Sequence, residues 1–295
     1  MRILKLLTAT TTLCVVAWFT SGQSLNASEK NKEHYGYPDI TYKVREAGPF
    51  ANFVNSILVP KNPNGAGVVL LSGCRGIGDK NIQDLRRLAN ELLEKGYSVA
   101  TPNYNSRPRP DRSPWNCGIN KNLQDMRLIK DIYDATTALS KVEGIDANRI
   151  FTVGQSLGAQ FGALAIGNLY VDFATKNGWG PVPRAVIGLY GGCQYSYGLR
   201  KYLHDAIARP VLWMAGAEDI RSYQGGNGCS KEQEQKIIKA QPDSKFVVFE
   251  NASHCWDCSQ MNGFYNSLEG QTYYYNSKAT KQSRDEIFKF MEKFK

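Results

Sequence analysis

Short, continuous apolar runs alternate along this chain with longer stretches whose apolar positions return at helical spacing. Gly67-Val-Val-Leu-Leu is the clearest short run, and an unbroken apolar segment of that length reads as a strand buried on both faces. Tyr97–Thr101, Arg149–Val153, Ala185–Tyr190, Val211–Ala215 and Lys245–Phe249 read as strands too. Leu85, Leu88, Ala89, Leu92 and Leu93 form one stripe of a helix predicted over Asn81–Lys95, which Gly96 stops. Helices are also predicted over Asn122–Val142, Leu157–Lys176, Lys231–Ala240 and Lys281–Phe294. Ile40–Val44 and Ala51–Val59 alternate, predicting two antiparallel strands with Gly48-Pro49 between them. Repeated strand–helix alternation implies an α/β fold, a mostly parallel twisted sheet with helices on both faces. No internal repeat or low-complexity segment divides it, so one domain is expected.

The first residues break this pattern. Arg2 and Lys5 precede an apolar run, Leu6–Phe19, of about 14 residues, short of the roughly 20 that span a bilayer. Residues 1–27 read as a secretory signal peptide, with cleavage after Gly22 or Ala27, and 28–295 as the folded domain. No other segment is apolar and long enough to span a membrane, so an exported periplasmic or extracellular protein is expected. The net charge is +9, or +7 once Arg2 and Lys5 of the leader are set aside. Its basic residues are scattered rather than gathered in a block, which reads as a solvated surface and not as a nucleic-acid site.

The chemistry centres on Gly154-Gln155-Ser156-Leu157-Gly158, between a predicted strand and a predicted helix. A serine in so tight a turn needs neighbours without a Cβ two positions to either side, and the turn lifts its hydroxyl off the sheet end. Ser156 is thus the expected nucleophile. It needs a base, and the chain has 3 histidines. His34 lies in the polar lead-in over residues 29–37, and His204 falls in an expected surface helix. His254 follows the strand Lys245–Phe249 and alone closes the order serine, acid, histidine. The acid should follow the strand after next beyond the serine. Asp219, just past Gly216, has the short side chain that can be held against the His254 ring, whereas Glu218 is expected to face solvent. The oxyanion donors are expected to be the backbone N–H groups of Leu157 and of Cys74, in the loop Ser72–Gly76. That loop's glycines follow G-x-x-G-x-G rather than the dinucleotide spacing, so no cofactor is implied.

These residues resemble the dienelactone hydrolase-like branch of the α/β-hydrolase superfamily. Val68-Val-Leu-Leu-Ser-Gly-Cys-Arg-Gly, Gly96-Tyr-Ser-Val-Ala-Thr-Pro, Gly154-Gln-Ser-Leu-Gly, Gly216-Ala-Glu-Asp219, His254 and Tyr275-Asn-Ser-Lys-Ala279 carry the resemblance, from about residue 40 to the C-terminus. It implies the α/β-hydrolase fold. The name-giving enzymes use a cysteine nucleophile where this chain has Ser156. Many relatives also carry histidine at the place of Ser72 and glycine at the place of Cys255. Their substrate therefore does not transfer.

Of the 7 cysteines, Cys14 lies in the leader, and an even remainder in an exported chain favours disulfides. The fold that the resemblance implies suggests the pairs Cys74–Cys117, Cys193–Cys229 and Cys255–Cys258. Zinc is the rival reading of Cys255-x-x-Cys258, but no second pair completes four ligands, so no metal is expected. Tyr104, Arg107, Trp115, Tyr190 and Trp256 are placed in loops around the pocket, as packing residues or as substrate contacts. The expected function is hydrolysis of a small-molecule or polymer-attached carboxylic ester through an acyl-enzyme. A peptidase or amidase with the same triad, and a hydrolase-fold binding protein without turnover, are the alternatives.

Overall fold

The computed structural model describes residues 24–26, 40–48, 53–74, 76–77, 81–103, 125–194, 203–204, 206–224, 228–267 and 270–294. Nine strands form one sheet: β1 (Ser24–Asn26), β2 (Thr41–Glu46), β3 (Ser56–Val59), β4 (Gly67–Leu71), β5 (Ser98–Thr101), β6 (Ile150–Gln155), β7 (Val186–Leu189), β8 (Val211–Gly216) and β9 (Lys245–Phe249). Their order is β1-β2-β3-β5-β4-β6-β7-β8-β9. From β5 through β9 every neighbouring pair is parallel. The loops that leave β4, β6, β8 and β9 therefore emerge along one edge.

Helices α1 (Asn81–Glu94) and α6 (Ser277–Glu292) cover one face; α2 (Asp125–Ser140) and α3 (Leu157–Ala165) cover the other. Side chains of a strand point alternately to the two faces, so each central strand feeds both layers. Val68 and Leu70 of β4 pack with Leu85, Leu88 and Phe290, whereas Val69 and Leu71 pack with Ile129, Tyr133 and Phe161. That division explains the unbroken apolar runs. Helix α5 (Lys231–Ala240) adds Ile237 to a third cluster around Val186, Val211 and Trp213. Among the described residues no helix is long and apolar enough to cross a membrane.

Several expectations are corrected. β2 and β3 pair parallel, not antiparallel. β3 begins only at Ser56 and runs in the same direction as β2, with Lys43 opposite Ser56 and Glu46 opposite Val59. The helix expected over Leu157–Lys176 is two, α3 and α4 (Asn168–Lys176). Gly167 forms an isolated bridge with Ile207, and Ala208 N–H donates to Ile166 O at 2.8 Å, so this backbone is paired across the fold rather than along a helix. The described residues around His204 hold no helix; its Nδ1 accepts from Ala206 N–H at 3.0 Å. A short hairpin, β10 (Tyr265–Asn266) with β11 (Gln271–Thr272), was not anticipated.

Candidate active site

Ser156 directly follows β6 and is the residue before α3, with φ 51 and ψ −115, a conformation that costs a non-glycine residue about 1–3 kcal/mol. Its neighbours make the turn possible. A Cβ on Gly154 would lie 2.4 Å from the Gly158 carbonyl carbon, and one on Gly158 would lie 2.7 Å from Ser72 O. The turn is anchored by Ser156 N–H to Leu189 O at 2.9 Å and closed by Ala159 N–H to Ser156 O at 3.0 Å.

The next two loops bring the partners. Gly216 ends β8 where a Cβ would meet Ala252 O at 2.2 Å, so only glycine lets the acid loop lie against the histidine loop. Ala217 N–H to Phe249 O and Glu218 N–H to Ala252 O, each at 3.0 Å, join the two. His254 Nε2 then lies 3.1 Å from Ser156 Oγ, and its Nδ1 lies 2.7 Å from Asp219 Oδ2. Asp219 is fully buried, and Glu218 is exposed to solvent.

Asp219 is held from several sides. Its Oδ1 accepts from Ser222 N–H at 2.9 Å, Arg221 N–H at 3.2 Å and Gln271 Nε2 at 3.3 Å. Burial pushes its pKa up. The His254 charge and hydrogen bond, the Ser222 N–H and the Gln271 amide outweigh that and hold it below the ordinary 3.8. The His254 ring sits between Tyr190, with ring centroids 4.9 Å apart, and Tyr273, at 5.2 Å. Such a constellation can move a proton from a serine hydroxyl to an imidazole steadied by a carboxylate.

Of the expected oxyanion donors, Leu157 opens α3 directly after Ser156. Gly73, next to Cys74, lies so close that a Cβ on it would be 3.6 Å from Ser156 Cβ. Cys193–Cys229 and Cys255–Cys258 are disulfides. Cys74 is disulfide-bonded too, while its expected partner Cys117, with Tyr104, Arg107 and Trp115, lies outside the described residues. Tyr190 and Trp256 are not on a pocket rim: both are buried, packed edge to face at 4.9 Å. Cys255, Asp257 and Cys258 cluster closely, but the two sulfurs are bonded to each other and offer no thiolate. Sequence reasoning missed Ser222, Gln271 and Tyr273. The alternation of Gln271 and Tyr273 was a signal that they share a face, though not that the face meets His254.

A family model described as the dienelactone hydrolase family matches residues 55–295. Among curated proteins nothing matches. Among solved structures, the chain is similar to a candidate dienelactone hydrolase from Klebsiella pneumoniae, at 16% identity and TM-score 0.55, over 79% of this chain and 90% of that one. An α/β hydrolase enzyme, MGS-M1, from a Medee basin deep-sea metagenome library is 15% identical with TM-score 0.54, covering 94% and 99%. Thermogutta terrifontis esterase 2, phosphoramylated by tabun, is 13% identical with TM-score 0.54, covering 80% and 88%. At such identities the likeness is one of fold.

Proposed function

The chain belongs to the dienelactone hydrolase family, and from that premise we propose that it is an exported serine hydrolase cleaving carboxylic esters. The observation that carries this reading is the continuous chain of contacts from Ser156 Oγ through His254 to Asp219, at 3.1 and 2.7 Å. Ser156 attacks the ester carbonyl as His254 Nε2 takes its proton. Asp219 holds Nδ1–H, fixing the tautomer and steadying the imidazolium. The N–H groups of Leu157 and Cys74 bind the oxyanion; removing one such donor costs typically about 3 kcal/mol. As the ester C–O bond breaks, His254 returns the proton to the leaving alkoxide. Water, deprotonated by His254, then releases the acid and restores Ser156.

Export is supported by the leader-like first residues and by disulfides in a chain of this length. β1 pairs with β2 from Ser24 to Asn26, which favours cleavage after Gly22, since a cut after Ala27 would remove a strand. Fluorophosphonate labelling tests the hydrolase reading, a choice suited by an esterase of this fold that carries a group from tabun. The label should map to Ser156 and vanish in Ser156→Ala, and an aryl ester should turn over where peptidyl amides do not. An unlabelled native protein would sink the proposal.

A further inference from the structure

A buried carboxylate that the proton relay does not use lies beneath the nucleophile turn. Asp257 has no exposed surface, yet three side chains converge on it, from β6, from the residue after β7 and from α6. Its Oδ1 accepts from the Tyr190 hydroxyl at 2.8 Å. Its Oδ2 accepts from Gln155 Nε2 at 3.2 Å and from Arg284 Nη2 at 2.8 Å. Its backbone carbonyl accepts from Arg87 Nη2 of α1 at 2.6 Å, and Arg284 Nε of α6 reaches Glu91 of α1 at 2.7 Å.

Burying such a group gives little stability by itself, because the desolvation of both ions offsets their attraction, and apolar packing would serve as well. What the arrangement supplies is direction. Gln155 immediately precedes Ser156, so its tether grips the peptide entering the strained turn. Tyr190 lays its ring against His254, and its hydroxyl is held only as firmly as its acceptor. Burial, then the charge of Asp257, push the Tyr190 pKa well above the ordinary 10.0, so the hydroxyl stays a donor. Asp257 itself stands three residues after His254, inside the turn that the Cys255–Cys258 disulfide closes. Both ends of the 3.1 Å Ser156–His254 contact are thereby referred to one carboxylate.

We propose that Asp257 is a positioning residue that sets the separation of Ser156 and His254 by binding the Gln155 amide and the Tyr190 hydroxyl together. The kinetic consequences rest on the hydrolase reading; the geometric claim does not. The test uses the full chain with Asp257→Asn, Tyr190→Phe and Gln155→Ala. It measures kcat and KM on an aryl ester, thermal melting, and the downfield Nδ1–H proton resonance of His254.

A displacement near 1 Å costs about 100-fold in rate, so Asp257→Asn should lower kcat by about 10- to 100-fold with KM little changed. Tyr190→Phe and Gln155→Ala, which keep the Asp257–Arg284 pair, should each lower kcat by a smaller factor. In the Asp257→Asn background either one should add little, as expected of groups acting as a unit. The His254 resonance should shift or broaden in all three. Folded variants with lower melting temperatures but native kcat and a native His254 resonance would overturn the proposal. If Asp257→Asn does not fold, the other two decide. If the native protein neither labels nor turns over ester, the hydrolase reading fails and the resonance still decides the role of Asp257.

Discussion

Ser156 keeps a positive φ because the positions around it carry no side chain that the turn would have to displace, and because its N–H is tied to Leu189. The same economy of space makes the relay sensitive to single atoms. Asp219→Asn keeps the shape but removes the charge that selects the Nδ1–H tautomer, and kcat should fall by about 10⁴ in steady-state assays. The acid side of the stability profile follows from the same residue. Asp219 has a folded pKa below its ordinary 3.8, so it contributes stability above that value and loses it as pH falls through the folded pKa. Melting temperatures should therefore drop as pH falls below about 4, and Asp219→Asn should flatten that limb. That Ser156, Asp219 and His254 converge was legible in the sequence, because histidine is scarce and strand order dictates which loops share an edge. Asp257, Ser222 and Gln271 were not, since a buried polar residue reveals its partners only when distant elements pack.

At the level of elements, local pattern located strands and helices well wherever burial repeats within a segment. Lys231–Ala240 and Lys245–Phe249 have the bounds read from the sequence. It failed where backbone partners come from elsewhere. No periodicity announces that residues 166 and 168 will bond to 206 and 208 and split a helix. Nor does the alternation of β2 and β3 say which way the chain returns between them. The nucleophile turn offers the sharpest test at this scale. Gly158→Ala would force a methyl against Leu71 and Ser72, backbone that cannot yield like a flexible side chain. Stability should fall by about 3 kcal/mol in urea titration, with fluorophosphonate labelling of the remaining folded protein reduced.

For the whole molecule, strand–helix alternation gave the parallel sheet and its two helical layers, while the pairing of edge strands and the course of the loops depended on the assembled fold. The disulfides act at this scale. Cys193–Cys229 spans 36 residues and Cys255–Cys258 spans 3. In the chain-entropy account, closing the longer loop contributes about 4 kcal/mol and the shorter about 2 kcal/mol. Replacing the first pair with serine should therefore lower the denaturation midpoint more than replacing the second. Replacing the second should act chiefly on turnover, through the loop that carries His254. Chain order then adds a matter of timing. Ser156 and His254 are 98 residues apart, and β9, which precedes the histidine, is the last of that sheet's strands in chain order and lies at its edge. A chain emerging N-terminus first carries Ser156 long before His254. The proposed hydrolytic activity thus requires the chain through His254, so a copy truncated before that residue should be silent toward esters that the full chain cleaves.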